Sequence, residues 1–461
     1  MEKIEWVARM NDQVSPAEPG DHQALFTWVA NVCHGEVIAA ELASGGNRRQ
    51  SWAVDVRTAD GTIRECFLRH DPRAQVLGAE PHTIDREAEV YRAIAPIPVL
   101  APRLIAESKA LRTILVERAH GIAEFRHSKD AAAKQAVTAA FMTNLAALHS
   151  FDTRQMDLDG GGNGRIVDHV KRDVAIWRAM YDEVGKPDSL LDLAFGWLDA
   201  QMPDPDGPVV LAHGDAGPGN FLFDHDQLTA LIDWEFAHLG DPLEDIAWFS
   251  MRCVMEPVPD YFGALEIYER AAGQTIDRAR LRYHRVLVST RVAVIRHRNF
   301  ASEPAYAIVS RGLNRRLLVE ALAAASEVDL PQPEPIAAPE TQQSAYFQKV
   351  IDDLGKVILP RSSDKRVIAV AKNSAKVIKY LKAINQLGPS IEDAKLLALT
   401  ELLGASPQSI AAGELALGAA VCASRIPFDQ ALDYFHKETA WSAQLSAEAS
   451  GSIAHRHYHQ I

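Results

Sequence analysis

The stretch from His213 to Ala247, HGDAGPGNFLFDHDQLTALIDWEFAHLGDPLEDIA, constrains this chain more than any other. Short runs with β character alternate there with glycine and aspartate turns. PVVLAH reads as a strand entering the stretch. FLFD and LTALIDW read as two more, with Asp224-His225-Asp226-Gln227 turning between them. Asp215 falls just past the first strand, on a loop holding Gly214, Gly217 and Gly219. A carboxylate held there can orient an incoming hydroxyl and accept its proton. Asn220 offers a neutral oxygen, and Asp233, at the end of the hairpin, an anionic one. An Asn and an Asp on adjacent turns suit Mg²⁺ held against nucleotide phosphates, because magnesium takes hard oxygen ligands. Phosphoryl transfer asks little more of a protein than positioning and charge neutralisation.

The segment resembles the aminoglycoside phosphotransferase/choline kinase superfamily. That family's HxDxxxxN stands here as His213-Gly214-Asp215-Ala216-Gly217-Pro218-Gly219-Asn220. Its [IV]D[WF]E stands as Ile232-Asp233-Trp234-Glu235, and its GDPxxDLA as Gly240-Asp241-Pro242 with Asp245-Ile246-Ala247. Protein kinases fill the same roles with HRDxxxxN and DFG; the Trp-Glu after Asp233 points away from that branch. The resemblance implies an α+β, bilobal, protein-kinase-like fold, with a small antiparallel-sheet N-lobe and a mostly helical C-lobe. It implies Asp215 as catalytic base, Asn220 and Asp233 as magnesium ligands, and ATP or GTP as phosphoryl donor. His213 braces the loop. Asp241 reads as the cap of a helix starting at Pro242 and Asp245 as a buried brace.

The first 120 residues read as a small sheet with one helix. Glu36 to Ala43, Gln50 to Arg57, TIRECFL and TILVER (113–118) have strand character, and 83–95 has helical spacing. Asp60-Gly61 between two alternating runs signals a two-residue hairpin. A kinase-like lobe needs a loop over the phosphates, a basic residue on the third strand and an acid on the helix. Ser44, Gly45 and Gly46 are either that loop or a plain β-turn. Glu87 fits the acid. Arg69 stands where the superfamily usually has Lys, as in the branch associated with acyl-CoA dehydrogenases; the other reading leaves Arg69 merely exposed. An Arg contacts phosphate as a fixed fork rather than a point charge. Glu117 and Ala119, in the strand-to-hinge segment, would bond the adenine through backbone. Leu145 to Asp152 resembles the family's LAxLHxxD helix end, with His149 bonding nearby backbone.

Helices are expected over Lys129–Ser150, 166–184 and 188–201, and from Pro242 to about residue 326. Asp329 to Gln343 holds four prolines and reads as a linker. Residues 344–461 are Ala- and Leu-rich, with 13 Lys/Arg against 11 Asp/Glu. Gly388-Pro389-Ser390 is expected to separate two helices there, with Gly404 ending the second. The expected division is therefore an N-lobe at 1–121, a C-lobe at 122–328, a linker at 329–343 and an all-helical domain at 344–461. That last part resembles a helical domain of unknown function, through which a homodimer can form. Lys365, Lys372, Lys376 and Lys379 fall on one helical stripe, either a solvated face or an anion contact, to the phosphates of a coenzyme A thioester or to an acidic patch on the kinase-like domain.

The chain has 461 residues and a formal net charge of −13, which excludes general nucleic-acid binding. Four cysteines without a CxxC pair give neither a disulfide framework nor a zinc site. The charged N-terminus and the short apolar runs lead us to expect a cytoplasmic enzyme with no membrane partner. The expected activity is Mg²⁺-dependent transfer to a small-molecule hydroxyl, with a hydroxyacyl-CoA or related catabolite as the preferred acceptor. An aminoglycoside or choline-like substrate, or a non-catalytic nucleotide-binding module, is the alternative.

Overall fold

The computed structural model describes residues 22–43, 49–72, 81–159, 161–298 and 307–461. The expected loop residues Ser44, Gly45 and Gly46 lie outside them. Residue contacts gather the chain into two compact units, Met1–Arg172 with Asp204–Asp277, and Asp173–Pro203 with Arg278–Ile461.

The first unit opens on α1 (Gln23–Val32) and a five-stranded antiparallel sheet: β1 (Gly35–Ala43), β2 (Gln50–Thr58), β3 (Ile63–His70), β4 (Leu104–Ser108) and β5 (Thr113–Glu117), in the order β1-β2-β3-β5-β4. Period-2 alternation buries Trp52, Val54 and Val56 of β2 against Leu25 and Val29 of α1. Cys33 and Cys66 join this core as free thiols, and burial pushes the Cys66 thiol up to about 12. The β2–β3 connection has four residues, Ala59 to Thr62, not the two expected. Thr58 N–H bonds Thr62 O at 2.9 Å, and the Asp60 carboxylate takes the Thr62 N–H at 3.0 Å, so Asp60 closes the turn with its side chain. Helix α2 (Ile84–Ile94) begins at the N-cap Thr83, whose hydroxyl accepts from Arg86 N–H, and it contacts β4 and β5.

The rest of this unit is helical around two small ladders. Helix α3 (Ala131–His149) and the start of α4 (Ile166–Asp182) precede β6 (Val210–Ala212), β7 (Phe221–Asp224), β8 (Gln227–Leu231) and β9 (His238–Gly240). The β7–β8 hairpin turns at His225-Asp226, and β6 pairs with β9. Helices α6 (Pro242–Met255) and α7 (Tyr261–Ala272) follow, α6 against β6 and α7 against α3.

The second unit contains α5 (Ser189–Ala200), α8 (Arg278–Arg298), α9 (Ile308–Ser326), α10 (Ser344–Asp352), α11 (Lys365–Leu403), α12 (Ile410–Cys422) and α13 (Phe428–Ser450). The Pro-rich stretch 329–343 marks a change of composition. In packing, the helices on both sides of it belong to one unit, where α13 contacts α9 and α11. Gly388-Pro389-Ser390 does not separate two helices: α11 runs through Pro389 to its C-cap at Gly404. Leu387 and Ile391, flanking the proline, are both buried against Trp441 of α13, and this packing outweighs the hydrogen bond Pro389 cannot donate. No helix of the described residues is long and apolar enough to cross a membrane.

Candidate active site

Glycine makes the loop after β6 possible. Gly214 has φ +79°, and a Cβ there would lie 2.2 Å from the Phe236 carbonyl oxygen, so no side chain fits. The loop backbone hangs on Asp245, which is fully buried on α6. Its carboxylate accepts from His213 N–H at 2.7 Å, Gly214 N–H at 2.9 Å and His149 Nε2 at 3.0 Å. The second nitrogen of His149 meets the Tyr268 hydroxyl at 2.7 Å. His149 thus bonds a carboxylate and a tyrosine, not the nearby backbone expected for it. His213 Nε2 reaches Ile232 O at 3.0 Å and ties the loop to the strand end before Asp233. Asp241 caps α6 through Leu243 N–H, with Pro242 in the first turn.

Asp215 lies at the centre of this frame and is buried. Arg252 of α6 grips it side-on, Nε to Oδ1 at 2.8 Å and Nη2 to Oδ2. Gly217 makes room for that arginine, since a Cβ there would lie 2.8 Å from the Arg252 Cβ. Burial raises the Asp215 carboxyl above its usual range, and Arg252 opposes part of the rise. Asn220 gives its amide hydrogen to Asp215 O at 2.8 Å, which leaves its side-chain oxygen for another partner. Its own carbonyl accepts from Ile232 N–H at 3.0 Å, so the hairpin ladder sets Asn220 beside the residue preceding Asp233. Asp233 adopts a left-handed conformation, φ +66°, which Asp tolerates better than most residues. The Trp234 indole N–H, bonded to Leu231 O at 3.1 Å, secures this turn.

The sheet brings two arginines to the same place. Arg69, on β3 between β2 and β5, bonds Asp233 Oδ1 at 2.8 Å and pairs with Glu87 at 3.2 Å. Arg49, just before β2, pairs with Glu87, reaches Glu235 at 3.3 Å and donates to His82 O at 3.0 Å. Glu87 is fully buried, and burial raises its carboxyl despite both guanidinium groups. At Asp233 burial also pushes upward, but Arg69, Arg49 and Arg252 outweigh it and hold the carboxyl below its ordinary value. Arg69, Glu87, Asp233, Asp215 and Asn220 therefore form one linked cluster. Glu117 and Ala119 sit at the end of β5, where Glu117 pairs with Cys66, three residues from Arg69. The Glu117 carboxylate takes an Arg103 fork, and Ala119 forms no hydrogen bond among the described residues.

Arg49, Glu235 and Arg252 were not assigned from the sequence. Arg252 did carry a signal there: a lone cation between Met251 and Cys253 in an apolar run must be paired if that helix is buried. Arg49 carried none, because its partner lies 38 residues away.

A fold of this kind, with one carboxylate on a glycine loop and an Asn/Asp pair beside an Arg–Glu pair, defines a kinase-like phosphotransferase. A profile of the phosphotransferase enzyme family matches residues 40–284, more than half of the chain, and the chain belongs to that family. Acyl-CoA dehydrogenase family member 11 of Mus musculus is 30% identical over 205 residues, which are 40% of this chain and 26% of that protein. Acyl-CoA dehydrogenase family member 10 of the same species is 28% identical over 223 residues, 46% of this chain and 20% of that protein. The chain thus spans about a quarter of the length of these curated relatives. Among solved structures, a macrolide 2'-phosphotransferase type I has a TM-score of 0.46 at 19% identity, covering 69% of this chain and 100% of that one. The macrolide 2'-phosphotransferase MphH of Brachybacterium faecium has a TM-score of 0.44 at 20% identity, covering 68% and 99%.

Proposed function

We propose that this chain transfers the γ-phosphoryl group of ATP to a hydroxyl of a small molecule, with Asp215 as the base. The observation that carries this reading is the joining of Asp215, Asn220 and Asp233 in one frame with the Arg69–Glu87 pair. Asp215 orients the acceptor hydroxyl and takes its proton as that oxygen attacks the γ-phosphorus. The bond from the γ-phosphorus to the β–γ bridging oxygen breaks, and ADP leaves with that electron pair. Arg69 stands where a phosphate-contacting cation is needed, and Glu87 holds it from behind. The backbone of Glu117 and Ala119 offers adenine a donor and an acceptor.

The donor set fits magnesium. The Asn220 amide oxygen and the part-exposed Asp233 carboxylate (side chain 35% exposed) are hard oxygens on adjacent turns. Mg²⁺ bound there supplies charge neutralisation for the triphosphate. Asp215 already faces Arg252 and Asp233 faces Arg69, so nucleotide must draw Arg69 partly from Asp233 toward phosphate.

For the acceptor we favour a hydroxyacyl-CoA or related thioester, because relatives that share this region are named acyl-CoA dehydrogenases. The test is ADP release and label transfer from γ-labelled ATP with a panel of hydroxyacyl-CoA thioesters, aminoglycosides and choline. Turnover should depend on a thioester acceptor and fall by about 10²-fold or more in Asp215→Asn. Transfer only to aminoglycosides or choline would replace the acceptor and keep the chemistry. Turnover unaffected in Asp215→Asn would remove the proposed base.

A further inference from the structure

The arginines of the candidate site are held in different ways. Arg49 is only 3% exposed and is fixed on three sides: it pairs with Glu87, reaches Glu235 at 3.3 Å and donates to His82 O at 3.0 Å. Arg252 grips Asp215 through two nitrogens. Arg69 instead spans two acids with one guanidinium, Nη1 to Glu87 Oε1 at 3.2 Å and Nη2 to Asp233 Oδ1 at 2.8 Å. Its side chain is 12% exposed and that of Asp233 is 35% exposed, whereas Glu87 has no exposure. The open side of the cluster is therefore the Arg69–Asp233 pair, and the closed side is Arg49 with Glu87.

This asymmetry decides which ligand can reach Asp233. Glu87, Asp215, Asp233 and Glu235 bring four negative charges, and Arg49, Arg69 and Arg252 bring three positive ones. A bare divalent cation joining Asp233 would stand within a few ångström of the Arg69 guanidinium, and like charges that close repel strongly in a partly buried site. Only one net negative charge is there to receive it. A metal–triphosphate complex is anionic, and its oxygens offer Arg69 a partner in place of Asp233. Leaving Asp233 would be costly if Glu87 lost its cation at the same time, because a buried carboxylate stripped of its partner is strongly destabilising. Arg49 stays on Glu87 and removes that cost. A lysine on this strand would be one compact charge; the arginine fork is what allows a single side chain to tie Glu87 to the metal-binding acid.

We propose that Arg69 is a latch on Asp233: it shields this acid from free divalent cations, and the metal–nucleotide complex releases it while Arg49 keeps Glu87 paired. The identity of the releasing ligand rests on the phosphotransferase reading above. The consequence is coupled binding, in which metal and nucleotide each raise the affinity for the other through the position of one side chain.

The test is binding of Mn²⁺ alone, a hard cation that takes the same oxygen ligands, followed by electron paramagnetic resonance on the full chain. Arg69→Gln should bind Mn²⁺ at least about tenfold more tightly than the parent, because the competing guanidinium is gone. The gain should vanish in Arg69→Gln/Asp233→Asn, which places it at this acid. In calorimetry with Mg²⁺ present, ATP should bind Arg69→Gln at least about tenfold more weakly. The two affinities thus move in opposite directions, which general damage to the fold would not produce. The control Arg57→Gln removes one exposed cation from the same unit and should change neither affinity. Equal Mn²⁺ binding by the parent and Arg69→Gln overturns the latch, as does a gain that survives Asp233→Asn or appears in the control. Circular dichroism is recorded first: an Arg69→Gln chain that does not fold shows that Arg49 cannot hold Glu87 alone, and overturns the release. A parent chain that binds no ATP would instead remove the phosphotransferase reading, and the Mn²⁺ comparison would still decide whether Arg69 shields Asp233.

Discussion

At the scale of residues, the chemistry depends on how arginines share a few buried acids. Arg252 opposes the rise that burial imposes on Asp215. The sign follows directly: removing the cation lets the Asp215 carboxyl rise further, so the base is lost at higher pH. In Arg252→Gln the acid limb of kcat/KM should move upward by about 1–3 pH units, read from a pH–rate profile. An unmoved limb would mean that Arg252 does not act on the base. Arg49 is buried, and its partner Glu87 has no exposure at all. Arg49→Ala should therefore cost about 3–5 kcal/mol by urea unfolding. The double variant with Glu87→Ala should cost less than the sum of the two single changes. Asp215, Asn220 and Asp233 were legible as candidates because each sits at a fixed offset in a spaced motif, and Arg69 and Glu87 because they fall on the strand and the helix where a kinase-like lobe needs a base and an acid. The guanidinium partners Arg49 and Arg252 were not, since a pairing across some 37 residues is a tertiary fact that no local pattern encodes.

At the scale of elements, most strands and helices follow from period and turn chemistry, and the exceptions have packing causes. Strands β4 and β9 escaped notice because they are short and owe their form to pairing with β5 and β6. Pro389 was read as a break by its local chemistry, but Leu387 and Ile391 are held by Trp441 on either side of it. The helix thus contains an avoidable cost. Pro389→Ala should stabilise the chain by about 1–3 kcal/mol in urea unfolding; a destabilised variant would show that the proline fits a bend the packing needs. The loop after β6 is the opposite case, where the sequence leaves no freedom. Gly214→Ala should lose at least about 2 kcal/mol, because φ +79° and the Phe236 carbonyl both exclude a Cβ. A thermal melt of that variant unchanged from the parent would contradict the close approach.

At the scale of the whole molecule, composition and packing divide the chain differently. The Pro-rich stretch 329–343 was visible in the sequence, while the grouping of α5, α8 and α9 with the C-terminal helices depends on side chains that meet only in the fold. Every described residue of the candidate site belongs to the first unit, and the family match ends at residue 284. A nucleotide should accordingly act as a ligand of that unit, adding about 2.7 kcal/mol of stability at 100 times its Kd. The measurement that tests the central claim most directly is calorimetric titration of ATP, with and without Mg²⁺, into the full chain and into Asp233→Ala. Binding that requires Mg²⁺ and disappears in a folded Asp233→Ala variant is the predicted result. No binding by the folded parent chain, or Mg²⁺-independent binding that survives in the variant, would contradict the phosphotransferase reading of this site.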